Sequence, residues 1–250
     1  MNAPLPTRRD EAWRYADLKA LEPVWSTLAG PEQITVPAGE SMSRQIAELP
    51  VVDGVGVIDL DVAIGDNATF TLHLLAHNAD YGRIQVKAML GNGSHFELGG
   101  AILGSGKQTL EIVTETIHAE PNATSNQVVR SVLADKATGS FLGKINVARH
   151  AQKTDAAQSV KAMLLDRGAT ANAKPELEIF ADDVKCAHGA TVGELDKQAL
   201  FYMASRGIDP ATAKKLMLQA FIADAFVSVG DDAVREEIEG KALEVLEGLS

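Results

Sequence analysis

A mainly β chain with a smaller helical end is predicted from three features of the sequence. Between Val51 and Val192 the apolar residues recur chiefly at every second position, the period of a strand with one buried face. Gly, Asn or Asp punctuates most of these runs, as at Gly65-Asp66-Asn67, Gly91-Asn92-Gly93 and Gly104-Ser105-Gly106, and from Phe70 to Leu110 the runs restart every 12 to 14 residues. Beyond Val192 to Asp196 the apolar period lengthens to three and four, which marks a switch to helix. With no helix between strands, a doubly wound α/β fold is disfavoured. Many short strands of near-regular spacing fit a sandwich, a barrel or a stacked solenoid, and periodicity leaves those three open.

Three regions follow from this division: 1–50, 51–193 and 194–250. In the first, Arg8 to Leu28 reads as helical, with Ala12, Tyr15, Ala16 and Leu18 on an apolar flank and Pro23 interrupting it. Trp13, Tyr15 and Trp25 equip this arm to dock on a larger body. Gly30 to Pro50, with Pro31, Pro37 and Gly39, reads as a linker around at most a short strand. The second region opens with Val55, Val57, Leu60, Val62 and Ile64 and closes with Leu177 and Ile179. In the third, Asp196 can cap one helix that stops at Gly207. Asp209-Pro210 starts a second, with Ala213, Leu216, Met217, Ala220 and Phe221 on one stripe. A third begins near Asp231 and aligns Val234, Ile238, Ala242, Val245, Leu246 and Leu249, opposite an acidic face.

Composition narrows the function classes. The 250 residues carry 23 Lys and Arg against 34 Asp and Glu, a formal net charge of -11, which opposes nucleic acid or anionic membrane as a general partner. No apolar stretch approaches the length of a membrane span, and the first residues contain no signal-peptide core, so a cytoplasmic protein is expected. A single cysteine forms no internal disulfide, and the sequons at Asn67, Asn92 and Asn122 then have no glycosylation role.

Most candidate chemistry fails on inspection. Gly104-Ser105-Gly106-Lys107 suggests a phosphate loop, but Ala101 and Gln108 stand where Gly and Ser or Thr are needed, so a turn between strands is expected. His73 and His77, four apart on a strand, would lie about 13 Å from each other, too far to share an ion. His118 reads as a hydrogen-bonded packing residue, and no G-x-S-x-G elbow occurs. What survives is Cys186 and His188. If Val184 to Ala190 is extended, these two side chains share a face and form a two-ligand half site. A structural metal site normally takes four ligands, so any ion here is shared with a partner or borrows distant carboxylates. The alternative is ordinary packing, since a lone cysteine commonly behaves as a small buried hydrophobe.

Four stretches carry a family resemblance: RDEAWRYADLKAL from Arg9 to Leu21, PNATSNQVVR from Pro121 to Arg130, FLGKINVARHAQKTDAAQ from Phe141 to Gln158, and KPELEIFADDVKCAHGATVGELDKQALFYMASRG from Lys174 to Gly207. With them the chain resembles the SufB/SufD family, scaffold proteins of iron–sulfur cluster assembly. The resemblance implies a right-handed parallel β-helix with a short N-terminal helical arm and a C-terminal helical segment. It implies a complex with a SufB homologue and the ABC-type ATPase SufC, whose docking falls to the C-terminal helices, here Phe201, Tyr202, Arg206, Leu216 and Phe221. It also implies that Cys186 and His188, in the family's K-C-x-H-G motif, lie at a cluster-assembly interface where iron or a cluster is held transiently with the partner. The chain is shorter than other members, with the shortfall before or within the early β region.

The expected function is therefore a non-catalytic scaffold, with a homodimer possible when the chain is alone and no cofactor bound stably to it. Two readings of other classes compete. A β-solenoid enzyme acting on polysaccharide would need clustered carboxylates, and no such pair stands out; a purely structural dimerisation module would leave Cys186 and His188 inert.

Overall fold

A computed structural model describes residues 4–249. Its core is built from thirteen strands: β1 (Glu32–Val36), β2 (Ser41–Ile46), β3 (Val51–Val52), β4 (Val55–Ile64), β5 (Thr69–Ala76), β6 (Tyr81–Leu90), β7 (His95–Gly104), β8 (Thr109–His118), β9 (Thr124–Leu133), β10 (Thr138–Val147), β11 (Asp155–Leu164), β12 (Thr170–Ile179) and β13 (Lys185–Gly193). Apart from the short β3, which lies antiparallel on β4, they alternate between two parallel sheets. One runs β1-β4-β6-β8-β10-β12 and the other β2-β5-β7-β9-β11-β13. Beyond the β3–β4 pair, consecutive strands do not pair; each pairs with the strand one coil away, so two of the spacings read from the sequence make one coil. This is a parallel β-solenoid of about six turns.

Period-2 alternation explains the packing directly. Alternate residues of every strand point into the bore between the sheets, and identical inward positions stack from coil to coil through the register. Phe70 of β5 lies over Phe96 of β7, ring centroids 6.1 Å apart and nearly parallel. Leu72, Leu98, Ile84 and Ile112 complete an interior with no access to water. The corners stack as well. Gly39, Asn67, Gly93, Asn122 and Lys153 all take positive φ, and the N–H of each donates to a carbonyl of the following coil's turn, at Asp66, Asn92, Pro121, Gln152 and Asp183. Gly and Asn are the residues that take this left-handed conformation at least cost, so most of the Gly and Asn punctuation is a column of corners. Gly106, in the stretch that suggested a phosphate loop, is one such turn residue, between β7 and β8.

Two regions differ from expectation. The stretch read as linker contains β1 and β2, so the solenoid begins at Glu32 rather than near Val51. EQITV and SMSRQI are polar because they form the exposed first coil, which hid their strand character. The expected N-terminal helix is instead three short turns, a 3-10 turn at Glu11–Trp13, α1 (Leu18–Leu21) and a 3-10 turn at Trp25–Thr27. Its docking role stands. Trp13 meets Trp25 edge-on at 5.6 Å, and Ala16, Leu21 and Val24 pack on Val55 and Tyr81. Beneath the arm, fully buried Arg83 donates to Glu111 at 2.9 Å and to the Ala12 carbonyl at 2.8 Å, with its guanidinium 3.8 Å from the Trp13 ring centroid.

The C-terminal helices are α2 (Lys197–Ser205), α3 (Pro210–Ala223) and α4 (Asp232–Glu247). Asp196, Asp209 and Asp231 cap them, each carboxylate accepting from two backbone N–H groups of the first turn. α4 buries Ile238, Ala242 and Leu246 as its stripe requires. On α3, Ala213 of the expected stripe is buried, but Leu218 and Ile222 take the place of its other members, because the helix turns them toward Leu75, Ala101, Leu103 and Val132 of the second sheet. The clamp is tight: Arg130 of β9 holds the Asp224 carboxylate at 2.6 Å, and any side chain at Gly99 would collide with the Ala225 carbonyl. No described helix is long and apolar enough to cross a membrane.

Candidate functional site

β13 closes the second sheet's order, so one of its edges pairs with β11 and the other faces no described strand. Its register sets Cys186 beside Ala156 and His188 beside Gln158. Ala156 and Gln158 point into the bore, so the two candidate ligands do too, on one face as alternation requires. Structure therefore brings the pair together, but at the last coil, where β12 and β13 have no coil beyond them to cover them. His188 is exposed and Cys186 half-buried, packed against a small cluster that includes Ile145 and Ala156. Phe180, 57% exposed, and Val192 add apolar surface to this open end.

Burial pushes the Cys186 thiol above its ordinary range, and the nearby Asp155 carboxylate pushes the same way. The group rests as a neutral thiol at neutral pH, so ligation would require loss of its proton. Among the described residues, no three His, Cys, Asp or Glu side chains converge as a metal site, so the pair is at most half a ligand set.

The residues assigned to docking divide. Phe201, 77% exposed, and Tyr202 project from α2, none of whose residues is buried, and the Arg206 guanidinium lies 5.2 Å from the Tyr202 ring centroid. Leu216 is exposed on α3. Phe221 is not available in the same way: it is partly buried against the core beneath the helices, for the same reason that the α3 stripe is turned. Between α3 and α4 a groove of about 410 Å³ is lined by Ala211, Lys215, Leu218, Leu243 and Leu246.

Three other histidines serve packing. His73 pairs with Ser228 at 3.0 Å and His77 with the Ala47 carbonyl at 2.8 Å; burial lowers both pKa values. His118 sits in the bore 2.9 Å from the Ser125 hydroxyl, its pKa lowered to about 4 by burial. Sequence reasoning missed Gln158, which is buried with both amide heteroatoms unbonded. Its only signal was a polar residue at an inward position between Ala156 and Val160, visible once strand pairing is known.

Residues 53–221 match the family described as SUF system FeS cluster assembly, SufBD core domain. Over 121 residues the chain is 39% identical to the iron-sulfur cluster assembly protein SufD of Escherichia coli, a match covering 48% of this chain and 29% of that protein. It is 36% identical over 132 residues to protein ABCI7, chloroplastic, of Arabidopsis thaliana, covering 52% of this chain and 28% of that one. A SufBD family protein of Mycobacterium tuberculosis is 28% identical over 266 residues, covering 89% of this chain and 67% of its own length. The chain thus covers under a third of the first two relatives' length.

Proposed function

Because the chain belongs to the SufB/SufD family of iron–sulfur cluster assembly proteins, and within it is of SufD type, we propose that it is a non-catalytic scaffold subunit. In this reading it pairs with a SufB-type subunit through the open end of the solenoid, binds a SufC-type ATPase through α2 and α3, and contributes half a ligand set to iron or a nascent cluster. The observation that carries it is the placement of His188 and Cys186 on the uncovered last strand, facing a bore that stops there. An unpaired edge offers backbone N–H and C=O groups to a second chain, and a copy of the same chain could occupy it when the partner is absent.

Chemistry fits the half site. Neutral imidazole and thiolate both ligate iron, and three or four ligands from two chains would complete a set that the described residues of this chain do not complete alone. Cargo held this way is substrate, released after assembly. For Cys186 a second reading has its own support, since it packs against the buried cluster that includes Ile145 and Ala156, as a packing residue does.

The test is anaerobic co-purification with the SufB and SufC homologues, wild type beside His188→Ala, reading the visible absorbance of the cluster. Complex intact with cluster lost is the expected result. Complex intact with cluster unchanged would leave a structural subunit only.

A further inference from the structure

The bore carries one polar column on the second sheet. Register places Gln127 of β9, Gln158 of β11 and His188 of β13 at the same inward position on successive coils, following Leu72 of β5 and Leu98 of β7. Gln127 has a partner on each amide heteroatom: its Oε1 accepts from the Thr114 hydroxyl at 2.7 Å and its Nε2 donates to Thr116 at 3.0 Å. Gln158 is 3% exposed, and neither Oε1 nor Nε2 has a partner.

The facing sheet explains the contrast. One coil on from Thr114 and Thr116, the register puts Gly143 and Ile145, which have nothing to offer an amide. Gly143 also makes the room, since a Cβ there would lie 2.6 Å from Gln158 Nε2. A buried amide with both halves unbonded costs stability, and leucine at this position would remove that cost. The chain keeps the amide beside His188, on the strand next to it and on the same face, about 4.8 Å away along the sheet.

We infer that Gln158 is a positioning residue for His188: in the loaded complex its free amide carbonyl accepts the imidazole N–H turned toward the bore, which fixes the tautomer and aims the other ring nitrogen at iron or cluster held with the partner. Metal-bound histidines commonly pass their second N–H to a carbonyl or carboxylate in this manner. The inference rests on the half-site reading above.

It is tested in the anaerobically purified complex with the SufB and SufC homologues, by the rate at which ferrozine strips iron, alongside thermal melting of the free chain. Gln158→Leu is expected to lose iron about tenfold faster than wild type, while the free variant melts at the same temperature or higher. Gln158→Glu, which keeps an acceptor, is expected to bring iron loss back to within about threefold of wild type. Wild-type iron retention in the Leu variant overturns the inference, as does a folded Glu variant that loses iron as fast as the Leu variant. His188→Ala separates the two levels. If it loses iron while Gln158→Leu does not, only the role of Gln158 falls; if it too retains iron, the half site falls with it.

Discussion

The middle coils and the last coil use the same inward positions with opposite results. On β7, Phe96 and Leu98 are sealed from water between β5 and β9; on β13, the residues at the corresponding positions are Cys186 and His188, one half-buried and the other exposed. The difference is not one of backbone, since both strands are regular and in register. In a solenoid, burial comes from the coil on either side, and the last coil has one neighbour where the middle coils have two. Middle coils therefore carry stability, and the last coil is free to carry chemistry that a sealed position could not.

That contrast can be broken most forcefully at Phe96. Phe96→Ala, which empties a stacked pair at the centre of the bore, should cost about 3–5 kcal/mol in chemical denaturation. A loss under 1 kcal/mol would mean the coils do not share one core. Next in size is acid sensitivity. Unfolded, His118 takes its proton near its ordinary value of 6.5, but in the folded bore only near pH 4. Stability should therefore be complete above pH 6.5 and fall by about 3 kcal/mol as pH drops toward 4, with no further loss from this group below that. His73 and His77, both lowered, act in the same direction. Denaturation at pH 7.5 and 4.5 should show the difference shrink in His118→Gln; an unchanged pH dependence would remove the bore histidine from the account.

Smaller still is the cap on α2. Asp196→Ala removes the acceptor for two N–H groups and should cost about 1 kcal/mol, read as faster amide exchange in Lys197–Ser205 while the solenoid strands keep their protection. Exchange spreading into β9 would show the helices and coils to be one cooperative unit. Smallest of all, His188→Ala in the free chain should shift stability by less than about 0.5 kcal/mol, because an exposed side chain on the last coil holds nothing together. A larger loss would make the histidine a structural residue.

How much of this was legible in advance depends on which interactions each feature needs. Strand period, corner residues and helix caps are local, and Val55 to Ile179, Asp196, Asp209 and Asp231 could be read directly. Pairing is not local: alternation shows that Leu98 points inward but not that it stacks on Leu72, so residues alone left sandwich, barrel and solenoid open and the family motifs decided. The first coil was missed because its exposed strands lack the apolar signal, and the stripe on α3 was misjudged because its partner is a sheet far away in sequence. Cys186 and His188 stand out as candidates by spacing, whereas Gln158 needed the register of three strands to be seen as an unbonded amide.

The column of left-handed corners has a further consequence, for how such a chain can change length. Each corner answers to the one a coil away, from Gly39 through Lys153, so the repeat unit is a whole coil rather than a strand or a turn. Gain or loss of one complete coil keeps every corner answered and every inward column aligned, whereas an odd strand would invert the bore. The solenoid is thus a spacer whose length is set in whole steps. The distance between its helical flank and its last coil is counted in coils.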